Sequence, residues 1–398
     1  MYKQIIKETW KYMWRNKKNR LVMVLSLGVV LAHSLLILPN LTEDFDVDVA
    51  QLERSIVSNQ QTFEDRLETG QTLTSFFTGT SAYQQARNEY VNQRELLTAI
   101  RTGDTRRYLT INYRPQEDPG SVMEDEGFNL PILGYAQERG FQAMKNQVYV
   151  NEVEPLSFHH IHERTSLQQM HLFLIGWGPY ILIFLLLFMI SDVVTKDRKL
   201  TTQKLGVSKN WFTYLMVQSL AALGFVALFF AVITGIFYLV NGIQYGFGFG
   251  SLPAGVFEAA PEGEPFYASI WSVIDLSTFF IRALPLLALL LYGFTRLNTL
   301  ISLIVKQDVV VLIATSFALL FPFLYYGEET TELLGLNISW YPQTYYQVGG
   351  AATGMIDAIV QEPVPYSRSI IVLLVTLLII EGLNYLASKL ITRQTFLG

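Results

Sequence analysis

The chain has no cysteine among its 398 residues. That excludes a disulfide framework, a thiolate metal site and a cysteine nucleophile. Charge is scarce too: 16% of residues are Asp, Glu, Lys or Arg, against about a quarter in an average soluble domain. No Gly-rich loop ending in Gly-Lys-Ser/Thr occurs, nor a His-Glu-x-x-His helix, nor a Gly-x-Ser-x-Gly elbow. Their absence removes the usual signatures of nucleotide hydrolysis, zinc proteolysis and serine hydrolysis, and leaves little for an enzyme reading. The net charge of −5 is modest, and no broad basic face points to nucleic acid.

What the chain has instead is hydrocarbon. Hydrophobic residues make up 51% of it, gathered in runs near the roughly 20 residues that a helix needs to cross a bilayer. Six runs are read as spans: 21–38, 171–190, 212–240, 277–297, 309–325 and 370–390. The third is long enough to tilt, and Arg282 and Pro285 interrupt the fourth. A basic stretch precedes the first run, as in a signal peptide. Leu38-Pro39-Asn40 is no small-residue cleavage site, so the run is read as an uncleaved anchor.

The loops alternate in sign. Lys3, Lys7, Lys11, Arg15, Lys17, Lys18 and Arg20 precede the first span; Lys196, Arg198, Lys199, Lys204 and Lys209 lie between the second and third. Arg296 and Lys306 fall between the fourth and fifth, and Lys389 and Arg393 follow the sixth. The intervening loops 241–267 and 327–367 have acids and no Lys or Arg. Cations concentrate on the cytoplasmic side. The expectation is an all-α polytopic protein of the plasma membrane, with six transmembrane helices, both termini inside, and a mostly helical extracytoplasmic domain between helices one and two.

Residues 1–20 read as an amphipathic helix lying in the inner interface, with Ile5, Ile6, Trp10, Met13 and Trp14 on one side and lysines toward anionic lipid. Residues 21–40 form the first span, and residues 41–168 the extracytoplasmic domain. In that domain a helix from Asp48 to Leu67 precedes one capped by Ser81 and ended by Gly103, which together suggest a hairpin. Residues 115–131 read as loop, and a helix from Glu163 is expected to run straight into the second span. Residues 169–398 hold the remaining spans, with a charged inner segment at 192–210 and an outer re-entrant loop at 327–368. Ala227, Ala231 and Gly235 recur at a spacing that permits close helix approach.

Ionisable groups in spans are costly in lipid and therefore candidates for function. His33, Asp275, Arg282 and Glu381 are the main ones. Asp275 and Arg282, seven apart, would face one vestibule; Glu381, Asn384 and Ser388 form a stripe. Two readings stand: a transport pathway, or hydrogen bonding between helices and snorkelling at helix ends. His159, His162 and Glu163 would share a helical face and are weak metal candidates, against an interfacial polar segment with no metal.

The inner segment joins a charged run, Asp197-Arg198-Lys199, to Thr201, then Leu205-Gly206 and Ser208-Lys209. With six spans, both termini inside and a basic first helix, this resembles the permease subunit of a type-2 ABC exporter. The large insert after span one is similar to that of a subgroup found in many Gram-positive bacteria. Trp340-Tyr341-Pro342-Gln343-Thr344-Tyr345 and Gly349-Gly350 resemble the turn before that family's last span.

The resemblance implies that Asp197, Arg198, Thr201, Leu205, Gly206, Ser208 and Lys209 couple to a separate ATPase subunit, present in two copies. It departs from the family in lacking the usual glutamate before the threonine, for which Asp197 stands in. It implies a second permease, identical or related, and ATP and magnesium bound on the partner ATPase rather than on this chain. It further implies export of a hydrophobic or amphipathic peptide, drug or lipid-like substrate past Asp275, Arg282, Tyr341, Pro342, Tyr345, Glu381 and Asn384. The alternative is a membrane-anchored sensor whose outer domain binds a ligand; it would need an output domain inside, where the segments are short.

Overall fold

A computed structural model describes residues 2–40, 48–70, 81–112, 135–199, 210–258, 270–324, 331–360, 362–391 and Phe396. The chain is mostly helical. It opens with α1 (Tyr2–Arg15), whose Ile5, Thr9 and Met13 form a buried stripe at four-residue intervals. Asn16 leaves the helix with extended backbone and caps α2 (Lys17–Ala32) by accepting from the Lys18 amide. A π turn over His33–Ile37 carries α2 into α3 (Leu38–Asn40), so that Lys17–Asn40 is a single apolar helix. Leu21, Val24, Leu25 and Val29 face outward on it, as side chains do when the surrounding solvent is lipid.

The insert follows. Asp48 caps α4 (Val49–Glu68) on the amides of Ala50 and Gln51. Ser81 and Gln84 make a reciprocal capping box for α5 (Ala82–Thr102), which Gly103 ends in the left-handed region at φ +69°. The two helices pair as the expected hairpin, with Phe63 packed on Tyr83 and Tyr90 and Asn59 bonded to Gln93. α6 (Thr105–Asn112) and α7 (Tyr135–Glu152) return the chain to α8 (Phe158–Ile161). The apolar core does not stop at the insert. Tyr108, Leu109, Tyr149 and Val153 belong to the same cluster as Ile183, Phe279 and Leu286 in the long helices.

The second span departs from its expectation. Glu163 sits in a turn at φ +53°. From there α9 (Ser166–Ile175) and α10 (Gly178–Ile190) meet at a 75° bend over Gly176 and Trp177. After α11 (Lys196–Lys199), α12 (Trp211–Tyr245) runs 35 residues. That is about 52 Å, well beyond the roughly 30 Å hydrocarbon layer, so the helix tilts or projects.

The expected loop at 241–267 contains a strand. β1 (Pro253–Glu258) pairs antiparallel with β2 (Ile270–Asp275), with Pro253 opposite Asp275 and Glu258 opposite Ile270. α13 (Leu276–Ile304) then runs unbroken through Pro285. The fourth span is therefore continuous and runs past its expected end at 297, so Arg296, expected at the inner margin of that span, lies well inside the helix. α14 (Asp308–Leu320) and a 3-10 turn at Phe321–Leu324 follow. Asp308–Phe323 is apolar but short, at about 24 Å by helical rise. A small ladder, β3 (Glu332–Leu333) with β4 (Leu336–Asn337), leads to the short helices α15 (Val348–Ala352) and α16 (Met355–Val360) and then to α17 (Tyr366–Leu390).

Among the described residues, four helices are long and apolar enough to cross a membrane: Lys17–Asn40, Trp211–Tyr245, Leu276–Ile304 and Tyr366–Leu390. The bent pair Phe158–Ile175 and Gly178–Ile190 makes a fifth if counted as one span. Six spans are not reached by helix length and composition among the described residues, because of the bend at Gly176 and the shortness of α14.

Candidate functional site: a clamped elbow and a charged tie between helices

The elbow between α10 and α12 is held from two sides. Asp192 accepts from the Tyr12 hydroxyl at 2.7 Å, from Asn16 Nδ2 at 2.5 Å and from Lys18 Nζ at 3.1 Å. Lys18 Nζ also donates to Ser191 Oγ at 3.0 Å, and Lys196 Nζ stands 3.5 Å from the centre of the Tyr12 ring. Burial, reinforced by Asp192, pushes the Tyr12 phenol well above its ordinary value. The hydroxyl therefore stays protonated and donates to the carboxylate.

Five residues on, Asp197 is 1% exposed and accepts from Tyr214 at 2.9 Å and Gln218 Nε2 at 3.1 Å. Gln218 Nε2 also donates to the Val193 carbonyl at 3.1 Å. Asp192 thus fastens the elbow to the N-terminal helices, and Asp197 fastens it to the first turns of α12. Charge-assisted bonds of this kind are about twice as strong as neutral ones. The backbone of Arg198 continues α11. Thr201, Leu205, Gly206, Ser208 and Lys209 lie outside the described residues.

A second network joins α12, α13 and α17. Arg296 is fully buried. It grips Glu381 with two parallel bonds, Nε to Oε1 at 2.5 Å and Nη2 to Oε2 at 2.8 Å, and its Nη1 donates to Ser219 Oγ at 2.8 Å. The Tyr292 hydroxyl adds a third bond to Glu381 at 2.6 Å. Asn384 Nδ2 donates to the Arg296 carbonyl at 3.1 Å. The guanidinium also lies 5.8 Å from the Phe212 ring centre. Glu381 and Asn384, expected along a pathway, both engage Arg296. The planar fork of arginine matches a carboxylate bidentately, which fixes the relative rotation of the two helices as well as their distance.

The remaining candidates sit at the far end of the bundle. Asp275 is exposed and precedes α13 as its cap, without a side-chain cap bond, whereas Arg282 reaches the Ala352 carbonyl at 3.5 Å. They do not share one helix face, because Asp275 belongs to β2. Tyr341 donates to the Leu333 carbonyl at 2.7 Å, and Pro342 opens a 3-10 turn over Pro342–Tyr345. Tyr345 is buried and donates to the Ser339 carbonyl at 2.5 Å. Burial raises its phenol to about 12.

This region closes on the bend in the second span. Gln347 Nε2 takes the Ile175 carbonyl at 2.7 Å, and a Cβ on Gly349 would stand 2.4 Å from Ile175 Cα. Only glycine admits so close a backbone. Trp177, Tyr180 and Phe323 gather beside the bend, with the Trp177 and Phe323 rings stacked 5.2 Å apart.

The three metal candidates diverge. His159 packs on Tyr245, His162 stacks on Phe158, and Glu163 pairs with Lys145. No group of three or more His, Asp or Glu placed to hold a metal ion is found among the described residues.

Asp192, Tyr12, Ser219 and Arg296 were missed by sequence reasoning. Asp192 carried one signal, as an acid at a span end otherwise flanked by cations. Arg296 carried the opposite one, since a cation near a span end reads as a loop residue. No protein-family model, curated protein or solved structure matches the chain.

Proposed function

We propose that this chain is the permease subunit of an ATP-driven exporter, acting in the plasma membrane with a separate ATPase and a second permease. The observation that carries this reading is the elbow at 191–199, bound through Asp192 to α1 and α2 and through Asp197 to α12. A force applied there moves three helices together rather than flexing a loop. The exposed lysines of α1 offer an ATPase a polar surface to push on, and the charged sequence 196–209 adjoins the clamped elbow along the chain. The Arg296–Glu381 tie then passes the displacement from α12 to α13 and α17.

The bend at Gly176, bridged by Gln347 and Gly349, lies at the other end and serves as the moving part of the exit. Broken helices occur where transporters bind or gate their cargo. The substrate class is hydrophobic or amphipathic, a peptide, drug or lipid-like molecule, in keeping with the aromatic cluster of Trp177, Tyr180 and Phe323 beside that bend. The chain itself moves no phosphate; ATP and magnesium act on the partner.

The test is isolation of the full chain from its native membranes in mild detergent. A stoichiometric protein carrying Gly-Lys-Ser/Thr in a phosphate-binding loop supports the reading. Repeated isolation of the chain with no such protein refutes it.

A further inference from the structure

α1 carries three lanes, not two. Ile5, Thr9 and Met13 are buried. Tyr2, Ile6 and Trp10 form the next lane at the same spacing, and with Val217, Leu220 and Gly224 of α12 they line an open groove of about 340 Å³. Beyond them lie Lys3, Lys7 and Lys11, all exposed. The Trp10 indole N–H is taken by the Ala221 carbonyl at 2.8 Å, so its ring offers the groove only carbon.

The groove also has a direction. Ile5 packs with Tyr214 and Leu215, while Met13 packs with Ala222 and Val226. The start of α1 is thus level with the elbow end of α12, and Trp10 lies further along the span. Lys3 and Lys7 flank the groove where α12 begins, and Lys11 follows beside Trp10.

We propose that this groove is a binding site for one anionic phospholipid, with an acyl chain laid along Ile6, Trp10, Val217 and Leu220 and the headgroup phosphate on Lys3 and Lys7. The argument is charge complementarity joined to an apolar slot: cations flank the groove, and hydrocarbon is the only filling that leaves no polar group unmet. A peptide helix does not suit the site, because its backbone and width exceed a slot between two helices already in contact. The site rests on the membrane character of the chain and not on its role as a permease, so the two fail separately.

The full chain, reconstituted in vesicles of equal phosphatidylglycerol and phosphatidylcholine and then released into detergent, is examined by native mass spectrometry. The expected result is one phosphatidylglycerol retained per chain in preference to phosphatidylcholine. Gly224→Leu narrows the groove; a Cβ at this position is in ordinary contact with Trp10 at 4.0 Å, the rest of the side chain occupies the groove, and retention is lost. Lys3→Gln with Lys7→Gln, both on the surface, lowers retention by about fivefold for each lysine. Equal retention of the two lipids by the native chain, or native-level retention of phosphatidylglycerol by the lysine variant, overturns the proposal.

Discussion

Removing Glu381 should cost more than removing Glu381 and Arg296 together. Glu381→Met leaves a fully buried guanidinium with two of its three bonds gone. Breaking a buried pair from one side costs about 3–5 kcal/mol, because the survivor's charge is uncompensated. Arg296→Met is the milder single change, since the Glu381 side chain is 24% exposed and keeps the Tyr292 bond. The double variant strands almost nothing. Ser219 retains its own bond to the Met216 carbonyl at 3.0 Å, and Asn384 binds the backbone of residue 296 rather than its side chain. Two methionines fill comparable volume, so the double variant should lie within about 1 kcal/mol of the native chain. Reversible unfolding in mixed micelles, followed by circular dichroism, gives the cycle. A coupling of at least about 2 kcal/mol is expected. Single losses that add to within about 0.5 kcal/mol would refute the reasoning and reduce the tie to two unrelated contacts.

Four further outcomes follow from the geometry. Tyr292→Phe removes one bond to Glu381 and should lower stability by about 0.6 kcal/mol and no more than about 1.7, the range for hydrogen bonds between membrane helices. Because the chain has no cysteine, a single Asn19→Cys thiol reports on the junction of α1 and α2: Asn19 is fully buried beside the Met13 carbonyl, and labelling should be slow in the native background and fast once Asp192→Ala frees the two helices from the elbow. Gly349→Ala forces a Cβ against the Ile175 backbone and should destabilise by about 1–3 kcal/mol. Gly28→Ala in α2, with open space around it, should be neutral or stabilising by up to about 1 kcal/mol; equal effects at the two glycines would remove the argument that α15 is seated on the bend.

Local signals were legible and long-range ones were not. Asp48, Ser81 and Gly103 delimit the insert's hairpin because caps act within one turn of their own residue. The first, third, fourth and last spans follow from hydrocarbon length alone. The bend at Gly176 is braced by Gln347 and Gly349, more than 170 residues downstream; Gly176, Gly178 and Pro179 mark a break in the apolar run, but apolar length alone reads straight across them. β1 and β2 escaped because their pairing joins short stretches across residues 259–269. One of them is further anchored by the Phe257 amide on the Thr353 carbonyl.

Arg296 reads as one of the inner cations because it stands one residue from the expected end of the fourth span at 297. With the helix running to Ile304, the same residue becomes interior and needs the carboxylate that α17 supplies. The stripe of Glu381 and Asn384 was therefore visible in the sequence, but its partner was not. The elbow shows the same pattern. Asp197 stood out by its charged neighbours, whereas Asp192 gained meaning only when Tyr12, Asn16 and Lys18 folded onto it.

The measurement closest to the central claim is photo-crosslinking from inside living cells. A photoreactive residue replacing Leu205, just beyond the clamped elbow, should form an adduct with an ATPase bearing a phosphate-binding loop, and the yield should change when ATP is depleted. The same residue replacing Glu95 in the insert should give none. An ATPase adduct from the insert position, or none from the elbow under either condition, contradicts the account.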